Sequence, residues 1–355
     1  MTRWVVLGVG DGKRARGLQA AAATAGVPVQ VVEWRDWLAG SPALPDALRT
    51  PCRFKVEPPG DDPQAHLALL HLGCERLGRA PCPAPERGEL VGADAWFAGF
   101  EAAMQRLTAL LAERPLAEPV NAPDEIVAMT DKLLCQQRLR EHGIATAPLL
   151  GAVDGYDHLV AMLDREDLDR VFVKSRYGSS AAGVIAYRRG AGRQQATTSA
   201  LLHDDGQRLF NVKRLRAYQR PDEIRRVIDL VAAQGAYVEA WLPKPRAGSG
   251  HFDLRVVTFA ARAAHRVARV GQRPMTNLHL DSERADPARL MPSHDLSAME
   301  ATAEQAARVF PRAGIVGFDL VVRRGEARVL EANAFGDLLP GLLWQGRDTY
   351  ATALT

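Results

Sequence analysis

Residues 314–333, GIVGFDLVVRRGEARVLEAN, constrain the fold more than any other stretch of this 355-residue chain. Two runs of alternating apolar and polar residues flank Arg324-Gly325-Glu326, a pattern that reads as a β-hairpin. With symmetry about Gly325, Asp319 faces Glu331 across the strands, and Asn333 follows on the same face. Phe318, Leu320, Leu330 and Ala332 then form the opposite, apolar face. Directly opposed Cβ atoms lie about 4.5–5.5 Å apart, which brings two carboxylates and an amide oxygen onto one small area. Such hard-oxygen donors suit Mg²⁺, which binds one or two carboxylates and fills its shell with water and phosphate oxygens. A solvated hairpin face is the plain alternative. Facing carboxylates repel, however, and the flanking Val and Leu argue for burial.

More alternating strands precede this hairpin, at 236–242, 252–259 and 265–271. Glu239 lies inside the apolar run YVEAWL, where an unpaired carboxylate is costly; a purine amino group is one donor that would satisfy it. In HFDLRVVTFAARAAHRVARV, a turn centred on Arg262 makes Arg255 face Arg269, with Asp253 on the same face. Opposed arginines call for an anion between them, such as a triphosphate; two solvated arginines are the alternative in an Arg-rich chain.

Upstream, VFVKSRYGSSAAGVIAY gives strands at 171–174 and 184–187 around a loop of small residues. Lys174 ends the first strand, and Gly178, Ser179, Ser180, Ala181, Ala182 and Gly183 offer backbone N–H groups and hydroxyls able to close over phosphates. Such loops are usually structural, so this signal is weak alone. Near the N-terminus, GVGDGKR is neither a Walker A motif, having Arg14 where Ser or Thr is required, nor GxGxxG. A dinucleotide site with Glu33 as ribose acceptor is therefore disfavoured. His66, His71, Cys74 and Cys82 match no standard zinc spacing and read as a helix face with incidental thiols. The basic run from Lys213 to Arg226 reads as a solvated helix surface, the alternative being attraction of an acidic substrate.

The order strand (4–9), helix (13–25), strand (27–33) opens the chain as a parallel α/β unit. Six prolines make 40–63 loop-rich; helices follow at 64–77, 93–113, 124–142, 221–234, 299–309 and near 337–344. We place domain boundaries near 120 and 236, giving units 1–120, 121–236 and 237–355. The net charge of +3 makes no case for nucleic acid. No apolar run reaches the roughly 18 residues of a membrane span. Four cysteines without a CxxC pair fit a reducing, cytoplasmic setting. One bias is informative: there are six lysines (13, 55, 132, 174, 213, 244) among 45 basic residues, and asparagine occurs only at 121, 211, 277 and 333. A coding bias toward Arg and Ala is the plain explanation; the alternative is that these types survive where Arg, Asp or Ser cannot do the job.

In chain order the candidates are Asp131-Lys132 on a helix, Lys174 before the small-residue loop, Glu239, Asp253-x-Arg255, Arg269, Asn277 in TNLH, and Asp319…Glu331-x-Asn333. That series, over roughly 120–340, resembles the ATP-grasp superfamily and is most similar to its RimK-type and glutathione-synthetase-like carboxylate–amine ligases. The resemblance implies an α/β (α+β) fold, with an N-terminal Rossmann-like domain and two ATP-grasp subdomains clamping the nucleotide. It implies that Lys132 and Lys174 contact phosphates, with Ser179, Ser180 and Gly183 in the covering loop. Glu239, Trp241 and Leu242 would form the adenine cleft. Asp319, Glu331 and Asn333 would hold two Mg²⁺, with Mn²⁺ as a substitute, and Arg255, Arg269 and Asn277 would lie along the transferring phosphate. The implied reaction joins a small-molecule or peptide carboxylate to an amine through an acyl phosphate, in a protein that can be a homodimer. A nucleotide-binding regulatory protein and an ATP-grasp kinase are the competing readings. Residues 335–350 would line the acceptor side or form a core helix.

Overall fold

The computed structural model describes all residues except Met1, Asp61, Ser179, Ser180, 277–281 and 337–338. Three sheets form in chain order. The first is parallel, from Trp4–Gly8 (β1), Val29–Glu33 (β2), Cys52–Val56 (β3) and Ala117–Pro119 (β4), in the order β2-β1-β3-β4. The second is antiparallel, from Leu149–Val153 (β5), Arg170–Ser175 (β6), Ile185–Gly190 (β7), Arg193–Leu202 (β8), Leu209–Tyr218 (β9) and Ala236–Ala240 (β10), in the order β5-β10-β6-β7-β8-β9. The third is antiparallel, from Arg246–Ala247 (β11), Gly250–Phe259 (β12), Arg262–Gly271 (β13), Glu283–Ala285 (β14), Ile315–Arg323 (β15) and Glu326–Asn333 (β16). Its order is β14-β13-β12-β15-β16, with β11 on β12. Because β10 pairs with β5 and β6, the central sheet runs past residue 236 to Ala240.

Burial follows strand alternation. Val171, Val173, Ala236 and Val238 fill the core of the central sheet with Ile224, Val227 and Ile228 of the helix Pro221–Ala232. Phe252, Leu254, Val256, Phe318 and Leu320 of the third sheet join one continuous core with Val5, Phe54 and Leu107 of the first. The alternate residues of both sheets are left to face one another across a cleft.

Two helices of the first unit, Pro63–Arg76 and Ala93–Ala112, touch backbone to backbone where they pack. A Cβ at Gly73 would lie 1.6 Å from the Ala95 carbonyl oxygen, and one at Gly99 1.9 Å from that of Leu69, so only glycine fits either position.

Several elements differ from the sequence reading. The helix expected over 124–142 is two, Pro123–Thr130 and Lys132–Glu141, because Asp131 leaves helical geometry to cap the second through Leu134 N. Residues 40–63 include the short helix Ala43–Ala47. The helix expected at 299–309 starts earlier, spanning Ser293–Arg308. Lys213–Tyr218 is the end of strand β9 rather than helix surface. No helix is present over the described residues 339–344, which hold a turn at 340–341 and a bridge from Trp344 to Arg347.

Candidate active site

Register decides which side chains meet. On β6 and β10, Lys174 pairs with Tyr237 and Phe172 with Glu239, so all four project from one face into the cleft. The Lys174 ammonium is ion-paired to the Glu239 carboxylate and lies 5.9 Å from the Phe172 ring centre. Glu239 is only 2% exposed. Burial raises its pKa, and the Lys174 charge only partly offsets this.

Opposite stands the third sheet. Asp319 pairs with Glu331 as the sequence predicts, but a bulge follows immediately, since Leu320 pairs with Val329. Leu330 is the extra residue. It turns into the cleft beside Glu331, while Val329 takes the core position expected of Leu330. The hairpin closes in two residues, Arg324 and Gly325, with φ of 53° and 81°.

The neighbouring hairpin corrects a second expectation. Its turn is Ala260-Ala261, not Arg262, so Arg269 pairs with Asp253 while Arg255 pairs with Val267 on one side and Asp319 on the other. Both alanines have left-handed φ, 47° and 58°, a conformation that glycine or asparagine would have advertised. The arginines therefore do not oppose each other across an empty gap. Arg255 Nε and Nη2 donate to Asp319, and Arg269 donates from Nε to Asp253 at 2.7 Å and pairs through Nη2 with Asp319 at 3.0 Å.

This lattice is buried. Burial would raise the carboxyls of Asp253 and Asp319, but the guanidinium groups outweigh it and hold both below the usual carboxylate range. Lys244 extends the lattice, donating to Asp253 at 2.9 Å and to Thr276 Oγ1 at 2.5 Å. Its burial lowers its pKa against the pull of Asp253.

The helix Lys132–Glu141 sews the two walls together. Its cap Asp131 takes a bidentate bond from Arg176 at 2.7 and 2.6 Å, at the exit of β6. From the same helix, Lys132 Nζ reaches Glu331 at 2.8 Å and the Ala332 carbonyl at 3.0 Å, and Gln136 donates to the Leu330 carbonyl at 2.7 Å. The resulting cleft is open to solvent on one side, and both walls contribute charged residues to its lining.

Of the residues singled out in the sequence, Lys132, Lys174, Glu239, Leu242, Arg269, Asp319 and Glu331 line the cleft. Arg255 lies behind Asp319, and Trp241 packs on Phe172 at 5.0 Å instead of lining it. Gly183 sits behind the rim residues Ala181 and Ala182, accepting from Ser175 N. Asn333 flanks the cleft, its amide nitrogen donating to the Gly317 carbonyl at 3.3 Å. Ser179, Ser180 and Asn277 lie outside the described residues. Sequence reasoning passed over Lys244, Phe172, Tyr237 and Thr276, of which Lys244 carried a signal as one of six lysines.

The donor chemistry fits a hard divalent cation. Asp319 and Glu331 are cross-strand partners with Asn333 two residues on, and among the described residues no three His, Cys, Asp or Glu side chains converge. Glu331 is the most open of these carboxylates, its side chain 33% exposed.

No family model and no curated protein matches the sequence. Solved structures do match the fold. D-cycloserine synthetase DcsG superposes with TM-score 0.58 at 15% identity, over 100% of this chain and 98% of that one. D-alanine–D-alanine ligase from Bacillus anthracis gives 0.55 at 10% identity, over 100% and 95%. The ATP-grasp ligase PsnB, solved with a minimal precursor, gives 0.55 at 14% identity, over 99% and 96%. Matched over its whole length, with its two antiparallel sheets facing across the charged cleft, this chain has the ATP-grasp fold.

Proposed function

We propose that the chain is an ATP-dependent carboxylate–amine ligase that forms an amide through an acyl phosphate and releases ADP and phosphate. The observation that carries this reading is one cleft in which Lys132, Lys174, Lys244 and Arg269 stand among Glu239, Asp253, Asp319 and Glu331. A carboxylate attacking a phosphate brings two anions together, and a site for it must supply positive charge without collapsing onto its own acids. The buried lattice meets that requirement by fixing each cation against a carboxylate. The similar folds of D-alanine–D-alanine ligase, DcsG and PsnB support the ligase class, and the precursor-bound PsnB supports a peptide among the candidate substrates.

In this reading Phe172, Leu242 and Glu239 bind the adenine, with Trp241 buttressing Phe172. Lys132 and Lys174 exchange their carboxylate partners for phosphate oxygens. Arg269 orients the transferring group, and Arg255 keeps Asp319 ionised and in place. Asp319, Glu331 and Asn333 would hold two Mg²⁺, or Mn²⁺ in their place; when bound, the ions neutralise phosphate charge. The loop after β6 would keep water from the acyl phosphate.

The test is ADP release over pairs of carboxylates and amines, with product masses measured. ADP should form only when both partners are present, and Glu331→Ala should reduce turnover by about 10³-fold or more. Turnover of Glu331→Ala at the parent rate, or ATP-dependent thermal stabilisation with no ADP from any pair, would overturn the reading.

A further inference from the structure

Far from the cleft, two thiols touch. Cys74 Sγ lies 3.2 Å from Cys82 Sγ. Cys74 is fully buried in the last turn of the helix Pro63–Arg76, and Cys82 is half-buried in the irregular segment that follows. A disulfide needs about 2.05 Å between sulfurs, so closure asks for a movement of roughly 1 Å. Cys82 stands between Pro81 and Pro83 outside any helix or strand and can shift that far without breaking a ladder. The other two cysteines have no such route. Cys52 and Cys135 are each sealed in the large core, and burial pushes the Cys135 thiol up to about 12.

The segment 77–92 is a strap between the first unit and the central sheet. At its start it is held by the His71 ring on the Cys82 carbonyl, by an Arg79–Asp94 ion pair and by the thiol contact. At its end Leu90 N donates to the Leu209 carbonyl, and the Leu90 carbonyl accepts from Gln234 Nε2, both at 2.8 Å. Glu86 pairs with Arg208 in the connection between β8 and β9. A thiol–thiol hydrogen bond is a weak tether for the first end.

We propose that Cys74 and Cys82 are a redox modification site, closed to a disulfide by a low-molecular-weight disulfide of the glutathione class, and that closure fixes the strap against the first unit. The Cys82 thiolate attacks one sulfur of oxidised glutathione and expels a glutathione thiolate. The Cys74 thiolate then attacks the Cys82 sulfur of this mixed disulfide and expels the second. The protein dithiol loses two electrons, the glutathione disulfide gains them, and the two thiol protons end on the two leaving groups.

The experiment treats the full-length protein with oxidised glutathione and follows intact mass, peptide maps and limited trypsin cleavage after the exposed Arg87. Expected are a mass about 2 Da lower, a Cys74–Cys82 crosslinked peptide, and Cys52 and Cys135 still alkylatable after denaturation. Cleavage after Arg87, beyond the Cys74–Cys82 ring, should slow about fivefold or more, because fixing residue 82 shortens the free span between that anchor and Leu90. Cys82→Ser should show neither effect. Cys74→Ala should stop at one glutathione on Cys82, a readout that serves even if the serine variant folds poorly. A lasting glutathione adduct on Cys82 of the parent protein, a crosslink using Cys52 or Cys135, or unchanged cleavage after Arg87 in crosslinked protein would overturn the proposal.

Discussion

Asp253 is 3% exposed and is bonded to Arg269, Lys244 and Thr276 at once. An isolated carboxylate there would be untenable, and its partners make it the hinge of the cationic lattice. Its native pKa is lowered, so between the ordinary carboxylate value near pH 4 and that lower value the unfolded chain takes up a proton that the native state refuses. The stabilisation is complete above about pH 4 and is lost as pH falls through the native value. Asp253→Asn removes this linkage. Urea midpoints measured from pH 5 to pH 3 should therefore decline less steeply in the variant than in the parent, and parallel declines would contradict the assignment.

Residue scarcity proved informative beyond the cleft. Lys132, Lys174 and Lys244 line the site, while Lys55 is buried against Glu57 at 2.9 Å. Asn121 donates to the carbonyls of Ile315 and Ala334 and accepts from Ile315 N, a pattern that needs both halves of an amide. Asn211 accepts from Ser199. Lys55, Lys132, Lys174, Lys244 and Asn121 thus mark positions where geometry is demanding, in scaffold and site alike, whereas Lys13 and Lys213 are exposed.

Among the elements, legibility in the sequence depended on turn chemistry. The β15–β16 hairpin carries Gly325 at a left-handed position, and its Asp319–Glu331 pairing could be read directly. The β12–β13 hairpin turns through two alanines, which carry no turn signal, and its register was misjudged by two residues. A shift of two preserves the face, which is why Arg269 still reaches the cleft. The bulge at Leu330 left a signal that the symmetric pairing passed over, the adjacent apolar residues Val329 and Leu330, where alternation changes phase. Strands β8 and β9 went unseen, since Ala196–Ala200 and Lys213–Arg216 are too small or too charged to show period-two hydrophobicity.

The loop after β6 offers a test at this scale. Its base is clamped by Arg176 on Asp131, and the Tyr177 ring stacks on Phe97 of the first unit at 4.3 Å. Tyr177→Ala keeps the clamp and removes the stack. In the ligase reading the cover then opens more often, so ADP release without matching amide product should rise several-fold. Unchanged coupling would remove the loop from that role.

At the scale of the molecule, one core joins the first unit to the third sheet, while the central sheet has its own. The central sheet is tied to the rest by Arg176 on Asp131 at the start of the helix Lys132–Glu141 and by the strap at Leu90. The cleft lies where this sheet meets the rest, a placement legible in the sequence only as the order of motifs. In the ligase reading, phosphate passes from ATP to a carboxylate oxygen. The most direct test supplies an ¹⁸O-labelled carboxylate substrate with ATP and an amine acceptor and measures the label in the products. An acyl phosphate predicts one labelled oxygen in the released inorganic phosphate and an amide that keeps the other. Label appearing in AMP, or inorganic phosphate free of label, would contradict it.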